Sequence, residues 1–124
     1  MLHKDITEKI IGCSFEVINE LGMGFVESIY QRALFIALQD KGLVVEPEKR
    51  IPVQFRNMQI GYFEADAIID NSVVLELKCC KVLLPEHSAQ LINYLKATNM
   101  AVGLLINVGN KELEWKRMHH PNIK

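Results

Sequence analysis

The chain has 124 residues, a formal net charge of −1, 49% hydrophobic and 23% charged residues, which predicts a single soluble globular domain over residues 1–124. No apolar run is long enough to cross a bilayer and no signal-peptide core follows Met1-Leu2-His3-Lys4-Asp5, so no membrane partner is expected and the expected location is cytoplasmic. Cys13 and the adjacent Cys79-Cys80 have neither disulfide-framework nor zinc spacing, and the near-zero net charge argues against strong sequence-independent binding of long nucleic acid by a lone monomer.

Over residues 5–21, Ile6, Ile10, Cys13, Val17 and Leu21 recur at helical spacing, predicting an amphipathic helix. Gly22-Met23-Gly24 stops it. A second helix is expected over residues 27–41, with Ile29, Ala33, Ile36 and Ala37 toward one side and Tyr30, Leu34 and Leu38 adjoining. Glu27 falls in its first turn, where the helix dipole favours a negative side chain. Residues 43–55 read as a strand interrupted at Glu46-Pro47, and Pro47 and Pro52 argue for an edge position or a bulged entry rather than a central strand. Asn57-Met58-Gln59 is the expected turn after it.

Residues 62–81, YFEADAIIDNSVVLELKCCK, read as two alternating strands joined at Asp70-Asn71-Ser72. Phe63, Ala65, Ala67 and Ile69 share one face with Val73, Leu75, Leu77 and Cys79, and this is the expected buried side. Leu84-Pro85-Glu86 opens a third helix running to about Lys96, with Pro85 suited to its first turn. The apolar run AVGLLIN, residues 101–107, reads as a strand inside a sheet. Its link to the preceding strand through a helix suggests a parallel pair. Residues 113–117 read as a short last strand and residues 119–124 as a frayed tail.

The order α-α-β-β-β-α-β predicts an α/β (α+β) domain with a mixed central sheet flanked by helices. Register within the hairpin decides whether its charged groups meet. The apolar faces match only if paired residue numbers sum to an even value, so a three-residue loop pairs Ile69 with Val73, Ala67 with Leu75, and Asp66 with Glu76. Asn71 or Ser72 would take the left-handed conformation in that loop. Lys78 then lies two residues beyond Glu76 on the same face. Adjacent carboxylates repel unless a cation intervenes, and Mg2+ prefers such hard oxygen ligands. The lysine ammonium can hold an anion or hydroxide next to the metal.

The Asp66…Glu76-Leu77-Lys78 arrangement and the element order resemble the PD-(D/E)XK nuclease superfamily. Gly24-Phe25-Val26-Glu27-Ser28-Ile29-Tyr30 fits the GxxExxY pattern that names one small-protein family within it. Ala89-Gln90-Leu91-Ile92-Asn93-Tyr94-Leu95-Lys96 looks like its QxxxY-type helix, and Gly103-Leu104-Leu105-Ile106-Asn107 like the strand that follows. The superfamily's proline-aspartate position reads Ala65-Asp66 here.

That resemblance implies a restriction-endonuclease-like core and makes Asp66, Glu76 and Glu27 the acidic groups of a metal site. Lys78 becomes the catalytic lysine, Gln90 a positioning residue, and Tyr30 and Tyr94 supporting residues. On the third helix Gln90 and Tyr94 lie on one face with His87 beside them; packing with a hydroxyl hydrogen bond is the plainer role for both tyrosines. The implied activity is Mg2+- or Mn2+-dependent hydrolysis of phosphodiester bonds in DNA or RNA. Lys49, Arg50, Arg56, Lys81, Lys96, Lys116 and Arg117 offer a basic rim. The alternative is a catalytically silent nuclease-fold binding or assembly module acting with a partner, and a homodimer or protein partner would supply additional binding surface.

Overall fold

The computed structural model describes residues 1–123. Two helices, α1 (Lys4–Leu21) and α2 (Glu27–Asp40), precede the strands β1 (Val45–Phe55), β2 (Met58–Ile69) and β3 (Val73–Lys78). Helix α3 (Pro85–Thr98) then leads to β4 (Val102–Asn107) and β5 (Glu114–His119). The strands form one sheet in the order β1-β2-β3-β4-β5. Neighbours are antiparallel except β3 and β4, which run parallel on either side of α3. This is the mixed, helix-flanked α+β sheet that the sequence predicts, with β5 added as a full edge strand.

Each sheet face carries its own core. On one side Ile10, Cys13 and Val17 of α1 and Tyr30, Leu34 and Leu38 of α2 pack on Ala67, Ile69, Val73, Leu75 and Leu77. On the other, Leu91 and Leu95 of α3 pack on Ala65, Ile68, Val74 and Leu105. Because both faces are covered, β3 and β4 are buried nearly throughout, as expected of strands flanked by helices on both sides. Gly103 permits the α3 contact: a Cβ there would sit 2.9 Å from Leu91 Cδ1.

The structure settles one open choice and changes several expectations. In α2, whose buried side the sequence leaves open, the Tyr30-Leu34-Leu38 stripe is buried, whereas Ile29 and Ile36 are exposed. The turn between β1 and β2 is Arg56-Asn57, both left-handed, with Phe55 paired to Met58. Two left-handed residues make the tight hairpin whose twist suits the flanking strands. At the next turn the three-residue loop is found, with Ile69 opposite Val73, but Asp70 and Asn71 take the left-handed conformation.

The β1–β2 ribbon also changes layers along its length. Ala67 and Ile69 belong to the α1/α2 core, but Phe63 and Ala65 pack in the α3 core. The change occurs where Glu48 takes a φ of 51° and the β1–β2 ladder passes over Glu48 without a pair. A local irregularity of this kind sharpens strand twist and re-aims side chains. At the other end His119 pairs with Val102 and the buried His120 donates its backbone N–H to Ala101 O, 2.8 Å. The expected frayed tail is therefore docked as far as His120; Lys124 lies outside the described residues.

Candidate active site

The β2–β3 ladder is regular from Ile69/Val73 to Ala67/Leu75. At the next register position the strands exchange side chains for backbone. Asp66 N–H donates to Glu76 Oε1 at 3.2 Å, and Leu77 N–H donates to Asp66 Oδ2 at 2.7 Å. Each carboxylate thus satisfies a backbone donor that a continued ladder would have paired. Asp66 and Glu76 are brought together as their register requires, at the point where the ladder opens.

Burial dominates their electrostatics. Glu76 is only 5% exposed. Loss of water, and next the negative charge of Asp66, push its carboxyl up to about 8, against the Asp66 backbone N–H and the Lys78 charge. Burial likewise raises Asp66, offset by the Leu77 N–H, the Lys78 charge and hydrogen bonds with Glu76 and Gln31. Near neutral pH Glu76 therefore keeps a proton that it shares in a hydrogen bond with Asp66, because a second negative charge beside Asp66 in a dry site is costly. The half-buried Lys78 acts on both through its positive charge. Among the described residues the ion pairs are Lys4–Glu8, Lys41–Glu16 and Lys49–Glu46, so Lys78 is not locked to a carboxylate.

The Lys78 backbone is firmly placed. It pairs with Asn107 of β4, and its carbonyl accepts Val108 N–H at 2.9 Å. The chain just beyond is held from two sides. Glu27 Oε1 accepts Cys79 N–H at 3.0 Å. The buried Asn107 accepts Cys80 N–H at 3.0 Å and donates to Cys80 O at 2.9 Å. Glu27 is exposed at the first position of α2 and is tied to the end of β3, one residue past the lysine. Among the described residues no three His, Cys, Asp or Glu side chains gather into a group able to hold a metal ion.

Tyr30 is 1% exposed. Its hydroxyl donates to Gly22 O at 2.6 Å and accepts Phe25 N–H at 3.3 Å. It fixes the loop that starts α2 and so sets the position of Glu27. On α3, Tyr94 stacks on Phe63 with ring centroids 3.7 Å apart and planes at 5°. Burial and then the charges of Glu76 and Asp66 raise its hydroxyl, while a hydrogen bond from the exposed Gln90 opposes them. Tyr94 thus lies within reach of the charge of the carboxylate pair, with Gln90 hydrogen-bonded to it. His87 is occupied elsewhere: its Nδ1 accepts Leu84 N–H at 3.0 Å at the start of α3.

Two participants were absent from the sequence reading. Gln31, which hydrogen-bonds Asp66, lies four residues after Glu27, one helical turn along α2. Asn107 is a polar residue ending an otherwise apolar strand, and that break in pattern is its signal.

The donor set suits a hard divalent cation. The two carboxylates repel, and Asp66 Oδ1 and Glu76 Oε2 lie outside the backbone hydrogen bonds described above. A cation in place of the shared proton would relieve that repulsion, with a preference for oxygen-binding Mg2+ or Mn2+.

A family model described as the PD-(D/E)XK nuclease superfamily matches residues 4–118. No curated protein matches the chain. Among solved structures, one titled "Crystal structure of SSO0001" aligns with a TM-score of 0.62 at 22% identity, over 77% of this chain and 50% of that one. An alkaline exonuclease from Laribacter hongkongensis aligns with a TM-score of 0.58 at 12% identity, over 77% of this chain and 55% of that one. At such identities these likenesses speak for the fold, and the chain spans about half the length of each.

Proposed function

This chain belongs to the PD-(D/E)XK nuclease superfamily, and from that membership we propose that residues 1–124 form a single metal-dependent nuclease domain hydrolysing phosphodiester bonds of DNA or RNA, within the GxxExxY group suggested by Gly24 to Tyr30. The observation that carries the reading is the buried Asp66/Glu76 pair at the opening of the β2–β3 ladder, with Lys78, which joins none of the ion pairs among the described residues, two residues further along β3.

Asp66 and Glu76 would hold Mg2+ or Mn2+, with Glu27 acting from the rim. Bound there, the ion supplies Lewis acidity and neutralises charge on the scissile phosphate. To take it, the carboxylate pair gives up its shared proton. Lys78 brings a positive charge to the reacting phosphate and orients the attacking water through its ammonium protons. Its strand end is held against drift by Val108, Asn107 and the Glu27 carboxylate. Gln31 steadies Asp66, and Gln90 with Tyr94 supports the opposite wall.

One observation favours a second reading, a catalytically silent binding or assembly module. The pair closes on itself: each carboxylate already caps a backbone donor, and no third acidic group joins them among the described residues. Incubating single- and double-stranded DNA and RNA with Mg2+, Mn2+ or EDTA, using wild type beside Lys78→Ala, separates the two. The nuclease reading expects metal-dependent cleavage by wild type and a loss of at least about a hundredfold in the variant. Equal rates for the two proteins would remove Lys78 from the chemistry, and no cleavage by either would favour the silent module.

A further inference from the structure

The two edges of the sheet are built differently. The outer side of β1 is unsuited to further pairing: Pro47 and Pro52 have no N–H to offer, Glu48 is left-handed, and the register slips between Val53 and Gln54. Such features guard an edge against a second chain. β5, at the other edge, has none of them. It pairs with β4 without a register shift from Glu114 to His119 and contains no proline or left-handed residue.

Strand geometry says what the β5 edge presents. His120 N–H bonds to Ala101 O, which makes 101 and 120 a hydrogen-bonded pair, and alternation along the antiparallel ladder turns the N–H and C=O of residues 114, 116 and 118 toward β4 as well. Those of Trp115, Arg117 and His119 therefore point outward. Side chains alternate too. Trp115 and Arg117 lie on the α1 face, where Trp115 meets Phe15 edge-on with ring centroids 6.1 Å apart and Arg117 donates to Thr7 Oγ1 at 2.9 Å. Glu114 and Lys116 lie on the α3 face, with Met118 packed against the α3 core. Trp115 is 45% and Phe15 42% exposed, so an aromatic pair stands uncovered beside an unpaired strand.

The strand is complementary to itself in one register. When two copies pair antiparallel edge to edge, the two-fold axis stands normal to the sheet, so opposite residues share a face and have the same parity. An axis on Lys116 sets that lysine against its own copy, and an axis on Arg117 does the same for the arginine. An axis on Trp115 instead sets Trp115 against Trp115 and each Glu114 against the other copy's Lys116. Lys116 is exposed and joins none of the ion pairs among the described residues. Glu114 commits Oε1 to Asn107 Nδ2 at 2.9 Å, which leaves Oε2 for a lysine.

We propose that β5 is a homodimer edge at which two copies pair antiparallel about Trp115, with the two tryptophans packed over the axis and a Glu114–Lys116 pair on either side of it. Main-chain hydrogen bonds from the outward residues join the two sheets into one, and the Phe15 rings flank the tryptophans. Because the axis reverses every strand direction, the two Asp66/Glu76 sites open at opposite ends of the joined sheet. The pairing does not depend on the nuclease reading.

Trp115 is the single tryptophan of the chain, so it reports on its own interface. Sedimentation velocity from about 1 to 200 μM should show monomer passing to dimer. Tryptophan emission should move to shorter wavelength over the same concentrations, as the ring leaves water. Lys116→Ala removes both cross-copy charge pairs from an exposed position and should weaken dimerisation roughly fivefold. Lys116→Glu makes both pairs repulsive and should weaken it roughly thirtyfold. Tightening by Lys116→Ala, the result expected of an axis on Lys116, overturns the proposal. So does a protein that is still monomeric at about 200 μM, which would leave the edge to a foreign strand. A dimer whose tryptophan emission equals that of the monomer also overturns it, because its interface then lies elsewhere.

Discussion

Replacing Glu76 by Gln should make the protein more stable in mild alkali and abolish much of its pH dependence. Glu76 titrates near 4.5 in an unstructured chain and is pushed up to about 8 in the folded one. Between those values the folded state binds the extra proton, so folding stability falls as pH rises from about 4.5 to about 8 and levels off above. The raised carboxyl costs on the order of 4 kcal/mol at pH 8 and above, at about 1.4 kcal/mol per pKa unit. For a chain of this size that amounts to a fall in Tm of about 10 °C or more. Gln keeps an oxygen for the Asp66 N–H and carries no charge to desolvate, so the Glu76→Gln curve should be much flatter. Thermal melts of both proteins from pH 5 to pH 9 measure the difference, which cancels titrations elsewhere in the molecule. Adding Mg2+ at pH 8 should raise the wild-type Tm and do less for the variant, since only the wild type can present two carboxylates. Parallel Tm curves across that range would refute the shared-proton account.

The strand end that carries Lys78 should be sensitive to the close approach of Gly109 and to the Asn107 clamp. In Gly109→Ala the new Cβ would stand 2.3 Å from Cys80 N and 2.5 Å from Cys80 O; these are backbone atoms, so the chain must move, at a cost of about 2–3 kcal/mol. Urea denaturation should show it, and an unchanged midpoint would mean that the strand end is free to shift. Asn107→Leu preserves approximate volume but strips partners from Cys80 N–H, Cys80 O, Gly109 N–H and the Glu114 carboxylate. Stranding those half-buried groups should cost about 2–3 kcal/mol by the same assay.

The order of elements, the edge position of β1 and the β2–β3 register were legible because they rest on short-range rules: period, proline chemistry and loop length. Where the reading failed or left a choice open, a longer-range effect prevailed. Helix α2 carries two apolar stripes, and nothing local ranks Ile29-Ala33-Ile36 below Tyr30-Leu34-Leu38. The second stripe goes inward because the Tyr30 hydroxyl finds partners in the Gly22–Phe25 loop, which removes the cost of burying it. Strict alternation put Phe63 with Ala67, but the ribbon twists at Glu48 and seats Phe63 on Tyr94. Parity counts residues along a strand and is blind to rotation of the strand itself.

The site was legible as a set of residue types and illegible as a state. Register alone places Asp66 beside Glu76, yet it suggests two charges in search of a cation. What it misses is that the ladder stops at Ala67/Leu75, so that the carboxylates become the backbone's hydrogen-bond partners and are drawn out of water. Those hydrogen bonds favour ionisation, burial opposes it, and for Glu76 burial prevails. The same geometry that makes the pair a candidate cation site therefore also lets a proton hold the place. Occupancy becomes a competition between proton and cation, and apparent metal affinity should rise with pH until both carboxylates are ionised.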